Sequence, residues 1–250
     1  MKKINEELSI LLREFGPHRR TYHAEYPFWR LQNDKIWEVE AKSPLRSRVS
    51  NTDPLKSELV NHFAKGGFTA EVYSYLTSTP NAIKAIATEL LEAHFPSSLH
   101  EEILNAVGLE LHETLYKKTS RDPQFRKLIL RAYEYRCAIC NWNLRLGDTL
   151  VGLEAAHIKW VQAGGPDIII NGITLCSMHH KLFDRGVFTI SNDFKILVSQ
   201  EANGGEGFKE WLLKYHCQNI QLPQSSIYNP SKDYLSWHKK EVFKSPARSL

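Results

Sequence analysis

Two short pairs of sulfur- and nitrogen-bearing residues carry the most specific chemistry in this chain. Cys137 and Cys140 form a C-x2-C, and Cys176 and His179 form a C-x2-H, with 35 residues between Cys140 and Cys176. A two-residue spacer lets both side chains of a pair reach one ion from a tight turn. Two such knuckles supply the four ligands of a tetrahedral Zn2+ with no open position. A single C-x2-C could equally be a redox pair, whereas two knuckles at this separation predict a structural zinc. Its binding energy would be folding energy, and it would hold a strand-rich segment together without a large core. Cys217 stands apart and reads as a buried or idle thiol. Beside the knuckles lie Glu154, His157, Asn171 and His180, with 14 positions from His157 to Asn171 and 9 from Asn171 to His180. His180 directly follows the expected ligand His179. Consecutive residues on a helix point about 100° apart, so one ring can face the zinc while the other faces a cleft.

The stretch from Tyr135 to Ile190, with its run LEAAHIKW…GGPD…NGITLCSMHHKLFDRG, resembles the zinc-containing branch of the HNH nucleases. The resemblance implies a ββα-metal fold and the hydrolysis of phosphodiester bonds. Matched by motif, His157 is the first H, Asn171 the N and His180 the last H. In those roles a neutral His157 would take the proton from water. Asn171 would hold the histidine ring or its loop through the amide. His180 would bind a divalent ion, Mg2+ or Mn2+, touching the scissile phosphate and the leaving 3′ oxygen. Many members of the family place Asp or His directly before the first His as a second metal ligand. This chain has Ala156 there, and Glu154, two residues earlier on the same strand face, is the candidate substitute. Asp184 and Arg185 fit either metal or phosphate contacts or a surface role at the end of a helix.

These residues need elements to hold them. A chain of 250 residues corresponds to one or two domains at roughly 150 residues each, long enough to bury a core without disulfides. With 42% hydrophobic and 24% charged residues, composition excludes a disordered or collagen-like chain. No apolar run is long enough for a transmembrane helix, and the opening MKKINEELSI lacks the apolar stretch of a secretory signal. Four cysteines without an export signal fit a reducing, cytoplasmic setting. The net charge of +4 says little, but its distribution says more. Residues 1–120 carry 15 Lys and Arg against 16 Asp and Glu, and residues 121–250 carry 17 against 12. A basic C-terminal half is compatible with nucleic acid.

Helical periodicity covers residues 2–14. Residues 16–27 read as an irregular basic loop, and FWRL (28–31) with IWEV (36–39) as a β-hairpin around QNDK. Asp53-Pro54 predicts an N-cap and a helix to about Ala64, ended by Gly66-Gly67. Further helices are expected over 69–76, from Thr79-Pro80 to His94, over 99–106, and over 123–135 after Asp122-Pro123. The polar KKTSRDP segment (117–123) marks a boundary, giving domains 1–118 and 119–250.

The N-terminal domain lacks a catalytic constellation but contains HRRTYHAEYPFWRLQND (18–34). Interleaved Arg, His and aromatic residues suit phosphate neutralisation and base or sugar contact. Trp29 and Trp37 fit the core of the hairpin. The pattern HAEYPFWRLQND, with GGFTAEV (66–72) and HFPSSLHEEIL (94–104), is similar to the sulfur-binding domain of phosphorothioate-dependent restriction endonucleases, in which that domain precedes an HNH nuclease. The resemblance implies recognition of DNA in which sulfur replaces a non-bridging phosphate oxygen. Sulfur is larger and more weakly hydrated than oxygen, so a shallow apolar pocket flanked by cations can prefer it. The implied pocket residues are Tyr26, Pro27, Gly67, Phe68, Thr69 and Val72, with Arg19, Arg20, His23, Arg30 and His94 around them. Thr69 stands where the family often has Pro. Lys42, Arg46 and Arg48 are expected along the DNA backbone.

The expected fold is therefore α+β: a mostly helical DNA-reading domain followed by a ββα-metal nuclease domain with a structural zinc. The expected protein is a modification-dependent restriction endonuclease acting on double-stranded, phosphorothioated DNA, as a homodimer because a duplex has two strands to cut. Two alternatives remain at this level. One is an HNH nuclease whose N-terminal domain reads methylated or plain sequence, and the other is a non-catalytic zinc-stabilised DNA-binding protein.

Overall fold

A computed structural model describes residues 2–48, 53–109 and 123–249. The architecture is α+β. By internal contacts the chain divides into residues 1–87 and 88–250. The boundary expected at 118/119 lies outside the described residues, as does the KKTSRDP linker up to Asp122.

The first unit contains α1 (Lys2–Glu14), α2 (Glu25–Arg30), a 3-10 turn at Leu31–Asp34, β1 (Trp37–Glu40), α3 (Lys56–Asn61), β2 (Lys65–Phe68) and α4 (Ala70–Ser78). The division falls inside α5 (Ala82–His94). The hairpin expected from FWRL and IWEV does not form, because Phe28, Trp29 and Arg30 belong to α2. Their β propensity is overridden by packing. Ala24 and Phe28, four apart and so on one helical face, are both buried, and Pro27 sits in the first turn, where its missing N–H costs nothing. The strand partner of β1 is instead the distant β2, antiparallel, with Trp37 opposite Phe68 and Val39 opposite Gly66. Gly66-Gly67 therefore extends a strand rather than ending a helix. A Cβ on Gly66 would stand 2.6 Å from the Trp37 ring and 2.8 Å from Phe28, so only glycine lets β2 pass over this core. The core is small: Phe28, Leu59 and Ala64, flanked by Trp29, Trp37, Val39, Ala41 and Leu45. The cap expected at Asp53 is also absent. Helix α3 begins after Leu55, and the buried Asp53 carboxylate accepts hydrogen bonds from Arg30 instead.

The second unit contains α6 (Ser97–Ala106), α7 (Pro123–Ala132), β3 (Arg145–Leu146), β4 (Thr149–Leu150), β5 (Leu153–His157), β6 (Gly172–Cys176), α8 (Ser177–Asp184), β7 (Phe188–Ile190), β8 (Ile196–Val198), α9 (Glu206–Trp211) and α10 (Lys232–Glu241). Among the described residues its strands pair antiparallel in twos: β3 with β4, β5 with β6, and β7 with β8. Helix α7 stops at Ala132 rather than 135 because Glu134 and Tyr135 turn into the left-handed region, at φ 51° and 58°. The expectation of a segment held by zinc without a large core is overturned. Phe125 and Ile129 of α7, Leu153 and Ala155 of β5, Ile173 and Leu175 of β6, Phe183 of α8 and the inner residues of β7 and β8 form one buried cluster. Each fully buried Leu, Ile or Phe contributes about 1.5–3 kcal/mol, so this core offsets much of the folding entropy independently of any ion.

Residues 200–249 wrap this core. His238 of α10 is fully buried, stacked on Phe183 with ring centroids 3.6 Å apart. Its Nε2–H donates to the Phe183 carbonyl at 3.1 Å, and the Thr189 hydroxyl donates to its Nδ1 at 2.8 Å. Burial holds its pKa down to about 3. Lys239 and Lys240 on the same helix are exposed.

Candidate active site and metal centre

The two cysteine knuckles converge. The ligand atoms of Cys137, Cys140, Cys176 and His179 all lie within 4.8 Å of one another. Cys140 Sγ is 3.9 Å from Cys176 Sγ, and His179 Nδ1 is 3.7 Å from Cys137 Sγ and 3.1 Å from Cys176 Sγ. The first knuckle is placed by backbone bonds: the Ala138 N–H donates to the Thr174 carbonyl of β6, and Asn141 closes the turn onto Cys137. Cys176 occupies the N-cap of α8, where the helix dipole favours a thiolate. His179 Nε2–H donates to the Trp211 carbonyl at 2.7 Å. A carbonyl only accepts, so a neutral His179 presents its Nδ1 lone pair to the sulfurs, the orientation a ligating histidine requires. Burial raises the Cys137 thiol pKa, hydrogen bonds from Cys137 and Cys140 hold Cys176 far below the usual thiol range, and His179 is raised to about 9 by the thiols against the lowering effect of burial. The donor set and spacings fit a tetrahedral ion with Zn–S near ~2.3 Å.

Strands β5 and β6 with helix α8 form a β-β-α unit that carries His157, Asn171 and His180. His157 closes β5 opposite Gly172. Its ring lies flat on Phe125, with centroids 4.1 Å apart and planes 6° from parallel. A Cβ at Gly172 would stand 2.2 Å from Ile129 Cδ1 and 3.0 Å from Phe125 Cζ. Glycine is required for α7 to come close enough to hold the His157 ring. His157 Nε2 lies 2.6 Å from Asp167 Oδ1. Because the carboxylate accepts, Nε2 carries the hydrogen, and in the neutral ring Nδ1 is left with a lone pair.

Asn171 is fully buried. Its Oδ1 accepts from the Lys159 N–H at 2.9 Å, and its Nδ2 donates to the carbonyls of Lys159 and Pro166, both at 3.0 Å. The amide thus clamps the loop between β5 and β6, the loop that carries Asp167. His180, the residue after His179 on α8, is also buried but contacts carboxylates. Its Nδ1 lies 2.5 Å from Glu154 Oε2, and its Nε2 3.3 Å from Asp184 Oδ2. Glu154 is held from its other oxygen by the Ser177 hydroxyl at 2.9 Å. Glu154 and His180 converge as an oxygen and a nitrogen donor, a set suited to a hard or borderline divalent ion. Asp184, for which a surface role was one expectation, is 3% exposed. Its i,i+4 spacing from His180 was the available signal. Arg185 pairs with Glu102 at 3.0 Å. Asp167 stood in the GGPD run with no role attached, and no spacing rule links it to His157.

In the first unit, Tyr26 is the centre of a cationic cluster. Arg30 and Arg48 lie 4.6 Å and 4.8 Å from its ring centroid, and His23 stacks on it at 4.9 Å. Arg48 also donates to the Tyr26 hydroxyl and, at 3.0 Å, to Glu25. His23 Nδ1–H donates to the same Glu25 oxygen at 2.9 Å. Burial raises the Glu25 pKa, but these hydrogen bonds outweigh it and lower it overall. Arg30 is held to Asp53 at 2.6 Å and 2.9 Å, which raises its pKa further. His23, Tyr26 and Arg30 are therefore brought together, with the half-buried Pro27 beside them in α2. Arg48 joins them through the Tyr26 ring and hydroxyl and Glu25. Gly67 and the exposed Phe68 sit at the end of β2, Thr69 caps α4 by accepting from the Val72 N–H at 3.4 Å, and no atom would meet a Cβ on Gly67 within 4 Å. Arg19 and Arg20 are exposed on the loop before α2. His94, at the end of α5, is grouped with the second unit.

Residues 1–112 match the family model described as ScoMcrA-like, DNA sulfur-binding domain, and residues 137–191 match that of the HNH endonuclease. Among solved structures, a modification dependent TagI restriction endonuclease is similar at 20% identity, over 49% of this chain and 39% of that one, with a TM-score of 0.36. The match thus spans well under half of that protein's length. No curated protein matches the chain. Among the described residues no helix is long and apolar enough to cross a membrane.

Proposed function

We propose that this nuclease, in which a DNA sulfur-binding domain precedes an HNH endonuclease domain, recognises phosphorothioated double-stranded DNA and hydrolyses its phosphodiester bonds with His157 as general base. The observation that carries the proposal is the coexistence on one chain of the sulfur-binding match over 1–112 and the HNH match over 137–191, whose β-β-α unit carries His157, Asn171 and His180 in its sequence. The domain limits proposed are 1–118 and 119–250.

In the proposed reaction Asp167 keeps the His157 Nε2–H, and Nδ1 accepts a proton from water. The resulting hydroxide oxygen forms a bond to phosphorus, and the bond from phosphorus to the 3′ oxygen breaks. Phe125 and Gly172 hold the ring flat, and Asn171 keeps the loop that brings Asp167 to it. His180 and Glu154 would hold Mg2+ or Mn2+, which supplies charge stabilisation at the phosphate and the leaving oxygen when bound. Cys137, Cys140, Cys176 and His179 would hold a structural Zn2+ that fixes the start of α8 and, with it, His180. At the other end of the chain, the Tyr26 cluster with Arg19, Arg20, His23, Arg30 and Arg48 supplies cations for the phosphorothioate charge. Pro27, Gly67, Phe68, Thr69 and Val72 supply apolar or open surface for the sulfur. His94 is a further candidate contact. Double-strand cutting requires two nuclease sites, so the proposed working form is a homodimer.

The test is cleavage of genomic DNA from cells with and without the sulfur modification, and of paired synthetic duplexes, in Mg2+, Mn2+ or EDTA. Metal-dependent cutting of the sulfur-containing DNA alone is expected. Equal cutting of both overturns sulfur recognition and leaves the nuclease. No cutting of either by zinc-loaded, folded protein overturns the catalytic assignment.

A further inference from the structure

The helix that presents His180 is gripped from one side by a helix outside the HNH match. Ser98 and Glu102 lie one turn apart on α6, so they share a face. They meet Lys181, Asp184 and Arg185, which share a face of α8 by the same spacing. The Ser98 hydroxyl donates to Asp184 Oδ2. Glu102 binds Lys181 Nζ at 2.9 Å through one oxygen and Arg185 Nε at 3.0 Å through the other. Asp184 Oδ2 in turn lies 3.3 Å from His180 Nε2, and the opposite ring nitrogen faces Glu154. These contacts lie within one compact unit, yet residues 97–106 fall inside the 1–112 sulfur-binding match and outside the 137–191 nuclease match.

We infer that Ser98 and Glu102 are positioning residues of the nuclease: α6 fixes Asp184, and Asp184 fixes the ring of the metal-binding His180. The physical basis is the arrangement common to ligating histidines. A carboxylate that accepts one ring N–H sets the tautomer and aims the other nitrogen at the ion. Asp184 is buried, and the Ser98 hydroxyl donates to the same Oδ2 that faces His180 Nε2, which fixes that oxygen beside the ring. The paired contacts of Glu102 fix the register of α8 against α6, which keeps Ser98 within reach of Asp184. The inference rests on the proposed metal role of His180 and adds to it a requirement for residues from the segment matched to the DNA-reading domain.

The experiment is titration of Mn2+ into the full-length, zinc-loaded protein without DNA, followed by electron paramagnetic resonance, for wild type and Ser98→Ala, Ser98→Thr and Glu102→Gln. Loss of such a supporting contact weakens metal binding by about 10-fold or more. Ser98→Ala is expected to show that loss, Ser98→Thr to recover it because the hydroxyl returns, and the partly exposed Glu102→Gln to show a smaller loss with its fold intact. Wild-type affinity in both Ser98→Ala and Glu102→Gln overturns the inference alone. Absence of Mn2+ binding in the wild type overturns the metal role of His180 and the inference with it.

Discussion

The His157 ring lies parallel to the Phe125 ring at 4.1 Å, and this stacking is possible only because residue 172, opposite His157 across the sheet, has no side chain. An ordinary core contact thus sets the orientation of the proposed base. Gly172→Ala is expected to push α7 outward, at a cost of about 1–3 kcal/mol as for other overpacked sites. It should lower kcat more than DNA affinity, since it moves the base and not the reading residues. Thermal unfolding with single-turnover cleavage checks both parts.

Asp167 is half exposed, so its removal should barely change stability while it releases the His157 tautomer. Asp167→Ala is expected to leave the melting temperature within a few degrees of wild type and to lower kcat by about 10²-fold, the lower end of what positioned acid–base catalysis supplies. Unchanged kcat would remove Asp167 from the mechanism. His157→Ala should abolish cutting while zinc content and DNA binding persist.

The proposed zinc of the cysteine cluster would serve folding, and the proposed divalent ion at Glu154 and His180 would serve the reaction. Cys140→Ser is expected to lose the bound ion, measured as zinc per chain, and to lower the unfolding temperature. The core of Phe125, Ile129, Ile173 and Phe183 should keep part of the second unit helical. A strong chelator should have the same effect on wild type, whereas mild EDTA treatment should stop cleavage reversibly without unfolding.

His238 makes stability depend on pH. Its folded pKa is held at about 3 by burial, while a free imidazole titrates near about 6.5. The unfolded chain therefore binds a proton that the folded chain refuses. The contribution is fully present above about pH 6.5 and is lost as pH falls toward 3, by about 1.4 kcal/mol per pH unit. Unfolding midpoints measured from pH 7 to pH 4 should fall more steeply in wild type than in His238→Gln, which carries no titratable ring. Equal slopes would show that the site admits the proton.

Arg48→Ala should weaken binding to sulfur-containing duplex by about 1–3 kcal/mol, because it removes a cation from the Tyr26 cluster and one hydrogen bond each from Tyr26 and Glu25. Competition binding in EDTA isolates this effect from cleavage.

What the sequence determined by itself was local or fixed by ligand geometry. The C-x2-C and C-x2-H knuckles could be read because tetrahedral coordination demands those spacers, and the helix over α1 could be read because its apolar residues recur with the helical period. The adjacent His179 and His180 could be expected to diverge because a helix turns about 100° per residue. Tertiary structure decided everything that depends on distant partners. Aromatic FWRL became helix because its buried face was worth more than its strand preference, and KGGF became the strand beside IWEV because glycine alone fits over Trp37 and Phe28. Asp167 meets His157, Ser98 meets Asp184 and Arg48 meets Tyr26 through contacts with no sequence period, since loop closure and helix packing fix them only once the cores have formed.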